Sequence, residues 1–290
     1  MNILVTGANG LLGFEVVNTL ESSGHEVVAT DVAEGFDHLD ITEPLAISDM
    51  LSTVRPQWLV NCAAYTKVDD CEENTERAFL LNGRAPGLLA RACEEHQASL
   101  LHISSDYVFD GMKDEPYSED DKTNPLSVYG KSKLSGEVAV QEYMERFVII
   151  RPQWLFGPHG PNFVDTILNK AKKGETLRVV NDQRGSPTYS KDLAKAIRYL
   201  IECNAQGIFH VCNRGSATWF DLAKKAVELS GLDTEVIPVG TESFPRPAKR
   251  PASSVLSTKR FSELTQRVMP PWQISLKDYI KIKGVGFEQG

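Results

Sequence analysis

Cysteine is scarce in this chain: five residues (Cys62, Cys71, Cys93, Cys203 and Cys212) are scattered through 290. None forms a Cys-x-x-Cys pair or stands with histidine at metal-ligand spacing, so a disulfide framework and a zinc module are poor readings. Reduced thiols in a cytoplasm are the expectation. Long apolar runs are missing too: no window approaches the roughly 18 uninterrupted apolar residues of a membrane span. The N-terminus enters a strand-like run, Asn2-Ile3-Leu4-Val5-Thr6, without a basic leader, so neither export nor a membrane partner is expected. Positive charge is also short, with 31 Lys and Arg against 39 Asp and Glu and a net charge of −8. A polyanion would be repelled at long range, and no nucleic-acid partner is expected. Any anionic ligand must be met by local donors.

What is present is an ordinary globular composition, 41% hydrophobic and 24% charged over 290 residues, enough for one large domain or two unequal ones. Apolar runs of strand length, Ile3-Val5, Val27-Ala29, Trp58-Val60, Leu100-Ile103, Val148-Ile150 and Phe209-Val211, alternate with segments of helical period. That alternation predicts an α/β fold, a Rossmann-like doubly wound parallel sheet covered on both faces. Pro44 opens one helix, Ser190 is expected to open another over 190–203, and Thr218-x-x-Asp221 resembles a capping box on a helix closed by Gly231. Prolines crowd the chain after Arg151 and again between Pro245 and Pro271. We therefore expect a dinucleotide-binding domain over 1–152 and 189–212, and a smaller, irregular substrate-binding lobe over 153–188 and 213–290.

Directly after the first strand comes Gly7-Ala8-Asn9-Gly10-Leu11-Leu12-Gly13, followed by a helical run from Phe14. A glycine-rich loop between strand and helix suits a dinucleotide: the pyrophosphate must approach backbone N–H groups at a helix N-terminus, where a Cβ would block contact. Gly7, Gly10, Leu11, Leu12 and Gly13 are the expected contacts. Asp31, at the end of the second strand, can accept from the adenosine ribose hydroxyls and would repel a 2′-phosphate, which tilts the balance toward NADH. Asp40 and Ile41 can touch the adenine edge, and the small Ala63-Ala64 pair after the third major strand leaves room for the cofactor backbone.

Tyr129 and Lys133, in Tyr129-Gly130-Lys131-Ser132-Lys133, stand four apart and hence on one face of a helix predicted over 127–145. A tyrosine is a poor proton carrier near neutrality unless a neighbouring ammonium favours its phenolate, and Lys133 is expected to supply that charge. Lys133 can also donate to the nicotinamide ribose. Ser105, with Ser104 as second choice, offers a hydroxyl to a substrate carbonyl at the end of the fourth major strand. With a nicotinamide carrying hydride, such a trio interconverts ketone and alcohol.

The loop spacing, the Tyr-x-x-x-Lys pair and three further stretches carry a resemblance over nearly the whole chain. These are Ser104-Ser105-Asp106-Tyr107-Val108-Phe109, Val180-Asn181-Asp182-Gln183-Arg184-Gly185-Ser186-Pro187-Thr188, and Arg250-Pro251-x-x-Ser254-x-Leu256. The chain resembles the dTDP-4-dehydrorhamnose reductases of the extended short-chain dehydrogenase/reductase superfamily. The resemblance implies reduction of the C4 ketone of a thymidine-diphosphate sugar by NADPH or NADH. In it Tyr129 is the proton donor, Lys133 its partner, and Ser105 stands where threonine is common. Asp106 and Tyr107 would lie beside the substrate, Trp154 would pack on the nucleotide-sugar, and Tyr65-Thr66-x-Val68-Asp69 would pass between cofactor and sugar, with Tyr65 replacing a more usual histidine. Arg250, with Arg246 and Lys249 nearby, would answer the diphosphate. Arg151-Pro152-Gln153 departs from the more usual Arg-Thr-Ser.

Two rivals remain at this point: a nucleotide-sugar epimerase with tightly bound NAD, and a non-catalytic subunit like the β subunit of methionine adenosyltransferase. No metal is expected, since Glu15 near the loop is a single carboxylate. The sequence leaves the assembly open, with a homodimer as one expectation.

Overall fold

Every apolar run read as a strand falls on one in the computed structural model, which describes residues 1–284. In chain order the strands are β1 (Asn2–Thr6), β2 (Glu26–Asp31), β3 (Asp37–His38), β4 (Trp58–Asn61), β5 (Ser99–Ile103) and β6 (Phe147–Arg151). The second half adds β7 (Leu155–Phe156), β8 (Leu177–Val180), β9 (Arg184–Gly185), β10 (Thr188–Tyr189), β11 (Gly207–His210), β12 (Ala217–Thr218) and β13 (Val236–Val239). Seven of them form one sheet in the order β11-β6-β5-β4-β1-β2-β3, parallel throughout. The order reverses between β1 and β4, and the crevice at that switch point is where open α/β sheets take their ligands.

Successive side chains on these strands enter opposite cores, which is why the strands read as unbroken apolar runs. Ile3, Val5, Val60 and Leu101 face α1 (Leu11–Ser22) and α8 (Ser190–Glu202), packing with Val16, Leu20, Ile197 and Leu200. Leu4, Leu59, Leu100 and Ile149 face the other way, against Ile47 and Leu51 of α2 (Pro44–Val54), Leu89 of α5 (Ala85–Glu95) and Val140 of α6 (Val128–Tyr143). Before α5 run the short α3 (Asp70–Glu73), α4 (Thr75–Ala78) and a π-helical stretch, Phe79–Arg84.

A separate core gathers Phe156, Leu222, Trp272, Leu276 and Tyr279 from β7, α9 (Trp219–Ser230) and α11 (Trp272–Ile282), with α7 (Phe163–Lys172) packed beside them. The capping box on α9 is present: Thr218 Oγ1 accepts from the Asp221 amide at 3.1 Å, and Asp221 Oδ2 accepts from the Thr218 amide at 2.9 Å. Gly231 closes the helix in the left-handed region at φ 66°.

Ser190 opens α8 as expected, as its first helical residue after Tyr189; its buried Oγ has no partner. The stretch after 213 is less irregular than its prolines suggest, because α10 (Lys259–Thr265) and α11 lie in it. Pro271, at φ −59°, fixes the entry to α11 instead of breaking it. The edge strand β3, short, polar and exposed, was not foreseen. Residues 285–290 of the expected lobe lie outside the described residues.

Candidate active site

The glycine-rich loop leaves β1 and becomes α1 at the switch point. Gly7 sits at φ 69°, and a Cβ there would strike the backbone of Ala63; at Gly13 a Cβ would strike the Gly7 carbonyl. Both glycines are thus required by the approach of backbone to backbone. Gly10 caps α1 without a side-chain bond, and the first turn holds no acidic residue. The free N–H groups of Leu11, Leu12 and Gly13 therefore face a site suited to an anion. This is a cradle that a pyrophosphate fits and a side chain would fill.

Asp31 stands at its rim, accepting from the Asn9 amide on Oδ2 and the Ala33 amide on Oδ1, each at 3.0 Å. Asp40 Oδ1 accepts from the Thr42 amide and hydroxyl at 2.9 and 2.8 Å, and Ile41 is buried in the α2-side core. Asp40 thus holds a turn through Oδ1, and Ile41 holds a core. His159, which sequence reasoning missed, stacks on Phe14 at 4.2 Å and meets the Asn9 carbonyl at 2.9 Å.

At the tip of β4, Asn61 Oδ1 accepts from Thr6 Oγ1 at 2.7 Å and the Ala63 amide at 3.1 Å. Ala63 and Ala64 are partly open. The Tyr65 hydroxyl is taken by Asp70, and its ring packs in a cluster with Cys71, Ala78 and Tyr129, Val68 alongside. Thr66 is exposed.

The helix α6 begins at Ser127, whose hydroxyl accepts from the Gly130 amide at 3.1 Å. Its first turns deliver Tyr129 and Lys133 to the end of β5, where the Lys133 ammonium donates to the Ile103 carbonyl at 2.5 Å. Two residues on, Ser105 accepts from the Tyr107 amide at 3.2 Å and donates to Asp106 at 3.1 Å. The structure thus gathers Ser105, Asp106, Tyr107, Tyr129 and Lys133. It also separates the two serines, since Ser104 is turned away to Glu137 at 2.5 Å.

Burial shifts Tyr129 and Lys133 in opposite directions. It pushes the Tyr129 phenol well above its ordinary value, and Ser105 counters that by hydrogen bonding. Tyr129 therefore holds its proton. Burial also pulls Lys133 from 10.5 down to about 8, against an opposing pull from Glu137.

Asp106 is a buried carboxylate whose partners are neutral: Ser254 Oγ donates at 2.6 Å and Gln153 Nε2 at 3.1 Å to Oδ2, and Ser105 donates to Oδ1. Burial raises it from 3.8 to about 6, the three donors acting in the opposite sense. Sequence reasoning noted Gln153 as a departure and Ser254 as part of a motif, without seeing that they meet here. The Tyr107 ring stands edge-on to Tyr129 at 5.4 Å.

Arg250 is anchored within the protein. Its guanidinium is engaged by Asp69 through two bonds of 3.0 and 2.8 Å and by the Ala248 carbonyl at 2.9 Å, which holds the Asp69 carboxyl below its ordinary range. Arg250 thus ties the loop after β4 to the proline-rich segment. Trp154, at φ 41°, stacks on Trp219 at 3.7 Å, with Gly185 pressed against the indole. Trp219 gave no sequence signal beyond following a helix cap. It also lines a cleft of about 670 Å³ with Lys170, Arg178, Arg246, Lys249 and Arg250 on its walls, a basic concavity on an acidic protein.

Comparison with known proteins places this geometry. The family model described as the RmlD substrate binding domain matches residues 1–284. A Streptomyces antibioticus protein named as a probable dTDP-4,6-dihydroxy-2-methyloxan-3-one 4-ketoreductase is 42% identical over 281 residues, 96% of this chain and 94% of its own. The dTDP-4-dehydrorhamnose reductase of Salmonella typhimurium is 37% identical over 289 residues, 96% of each chain. Among solved structures, a dTDP-4-dehydrorhamnose reductase from Clostridium acetobutylicum superposes with a TM-score of 0.93 at 42% identity, covering 98% of this chain and 100% of that one. The Bacillus anthracis enzyme in complex with NADP gives 0.92 at 36%, covering 97% and 98%. A UDP-glucose 4-epimerase from Thermus thermophilus, at 22% identity and 0.84 over 97% and 98%, shares the fold.

Proposed function

The chain belongs to the RmlD family, and on that premise we propose that it is an NAD(P)H-dependent oxidoreductase reducing the C4 ketone of dTDP-4-dehydro-L-rhamnose to dTDP-L-rhamnose. The observation that carries the reading is the buried, protonated Tyr129 beside the Ser105 hydroxyl at the tip of β5. A reduction must begin with its acid protonated, and burial holds the Tyr129 proton to higher pH than a free phenol would.

The loop Gly7–Gly13 with α1 would hold the cofactor's pyrophosphate, Asp31 and the backbone at Asp40 and Ile41 its adenosine half, and Ala63, Ala64 and Tyr65 the rim of the site. Bound there, a reduced nicotinamide supplies the hydride for the carbonyl carbon. Ser105 donates a hydrogen bond to the carbonyl oxygen, and Tyr129 transfers its phenolic proton to that oxygen as negative charge develops on it. Lys133, one turn along, holds the nicotinamide ribose, and its ammonium stabilises the phenolate left behind. The carboxylate of Asp31 favours NADH, whereas the relative solved with NADP favours NADPH; we propose that both are used, with NADPH accepted past Asp31.

The basic cleft is the natural seat for the thymidine diphosphate, with Trp219 on one wall and Trp154 stacked on it, and with Thr66, Val68, Asp106, Tyr107 and Arg250 toward the sugar. We read residues 1–152 and 189–212 as the cofactor unit and 153–188 with 213–290 as the substrate unit; the second has a core of its own around Phe156, Leu222 and Tyr279, while its Phe261 and Met269 pack into the core of the first. Among the described residues no helix is long and apolar enough to cross a membrane; we place the protein in the cytoplasm, with a homodimer as its assembly.

The test is turnover of dTDP-4-dehydro-L-rhamnose with each reduced dinucleotide, followed by nicotinamide absorbance. One cofactor oxidised per sugar converted is expected. Conversion without net oxidation would make the protein an epimerase, and no conversion would leave the non-catalytic subunit.

A further inference from the structure

Beyond Tyr129 and Lys133, the same face of α6 carries one more ionisable group into the interior. Glu137 lies one turn past Lys133 and two past Tyr129, and it is 1% exposed. Its Oε1 accepts from Ser104 Oγ at 2.5 Å and from Arg151 Nε at 2.9 Å, and its Oε2 accepts from Arg151 Nη2 at 2.6 Å. Arg151, on β6, is itself 3% exposed, with its Nη1 3.4 Å from His210 Nε2. A buried ion pair is weak evidence for stability, because desolvation of both charges offsets most of their attraction. Its place, under the reacting groups, points to other work.

We propose that Glu137 is a positioning residue for the reduction: it pins Ser104 so that Ser105 alone faces the reacting carbonyl, and it keeps Lys133 an ammonium inside a dry site. The inference rests on the assignment of Ser105, Tyr129 and Lys133 above.

Two independent features support it. Successive residues of an extended segment point to opposite sides, and Ser105 is extended at φ −161°, ψ 157°. With Ser104 bound to Glu137 on one side, Ser105 is delivered to Tyr129 on the other. The second feature is charge. The groups facing Lys133 are Glu137 on its own helix, Cys62 after β4, His102 on β5 and the Ile103 carbonyl. Burial keeps His102 neutral, with Lys133 adding to that effect, and burial raises the Cys62 thiol so that it too is uncharged. Glu137 is then the full negative charge that opposes the desolvation of Lys133. Arg151 occupies the remaining lone pairs of the carboxylate, and His210 behind it is held neutral mainly by burial.

The test follows the Lys133 side chain by its ¹³Cε resonance in the free protein, assigned by its loss in Lys133→Met. A transition near pH 8 is expected in the wild type. Glu137→Gln should move it at least tenfold in proton affinity toward acid, and Glu137→Asp, which keeps the charge, should largely restore it. The alkaline limb of kcat/KM for the 4-keto sugar should move with it. If Glu137→Gln leaves Arg151 unpaired and does not fold, Glu137→Gln with Arg151→Gln is compared with Arg151→Gln alone, so that loss of the carboxylate is read against the same missing guanidinium. Ser104→Ala should lower kcat several-fold with KM and the alkaline limb unchanged. A lysine signal that does not move in the folded glutamine variants overturns the electrostatic role, and an unaltered kcat in Ser104→Ala overturns the positioning role. Because the resonance needs neither substrate nor cofactor, its failure is distinct from that of the reductase reading, which would show as no nicotinamide oxidation by the wild type.

Discussion

Replacement of Asp106 by asparagine should make the protein more stable at neutral pH, and by an amount the structure sets. The carboxylate is 2% exposed and is met by three neutral donors, Ser105, Gln153 and Ser254, with no cation. It ionises near 3.8 when unfolded and near about 6 in the fold. Between those values the folded protein holds a proton that the unfolded chain has released, so stability falls as pH rises through the window and the full penalty applies above it. A gap of about 2 pH units at 1.36 kcal/mol each is about 3 kcal/mol. Asparagine keeps the shape, still accepts from Ser254 and Gln153, and presents an amide to which the Ser105 hydroxyl can turn as acceptor. Urea unfolding of both proteins at pH 4.5, 6 and 7.5 reads the difference. The variant should gain up to about 3 kcal/mol over wild type at pH 7.5 and progressively less toward pH 4.5. An equal difference at every pH, or a less stable variant at pH 7.5, would refute the buried-anion account. A stability cost retained beside the reacting hydroxyl is the signature of a site shaped for function rather than for folding.

Three further perturbations separate the parts of the site. Tyr129→Phe should lower ketone reduction by about 100-fold or more while NADPH affinity, measured by fluorescence titration, stays within about twofold, since only the proton donor is lost. Gly13→Ala should weaken cofactor binding by about tenfold or more and lower the melting temperature, because its Cβ meets the Gly7 carbonyl; unchanged affinity would show that α1 shifts at no cost. Arg250→Lys cannot reproduce the two-bond grip on Asp69, so KM for the sugar should rise several-fold. Adding Asp69→Asn should then cost little more, as expected of two residues acting as one unit.

The parallel sheet was legible because its strands are buried on both sides, so that Ile3-Leu4-Val5 and Val148-Ile149-Ile150 feed two cores at once. The edge strand β3, Asp37–His38, buries neither face and left no hydrophobic trace. In the site, what depended on near neighbours could be read: the loop glycines, and Tyr129 with Lys133 by helical period. What depended on distant partners could not. Gln153 reaches Ser254 across 101 positions and Ser254 reaches Asp106 across 148, separations that no period records. Nor does spacing disclose burial, and burial decided the direction in which Tyr129 and Lys133 titrate.

The Arg250-Pro251-x-x-Ser254-x-Leu256 motif shows how a correct match can carry an incomplete physical reading. As sequence it is a basic residue in a proline-rich stretch, suited to a diphosphate. In the fold the segment is bridged on two sides, Ser253 to Arg184 and Leu256 to Tyr117. Backbone bonds of 2.8 Å from the Tyr117 amide to Val255 and from the Ser257 amide to Tyr117 hold it in place. Three of its side chains, Arg250, Ser254 and Leu256, each grip a different piece of the site. Arg250 holds Asp69 of the loop after β4, Ser254 holds Asp106 beside the reacting hydroxyl, and Leu256 enters the core of Val108, Phe109 and Tyr117. The prolines of the segment made it look like a loop in the sequence. Its partners were supplied by the sheet, which brings the ends of β4 and β5 side by side, so a strap laid across them can fix both loops at once.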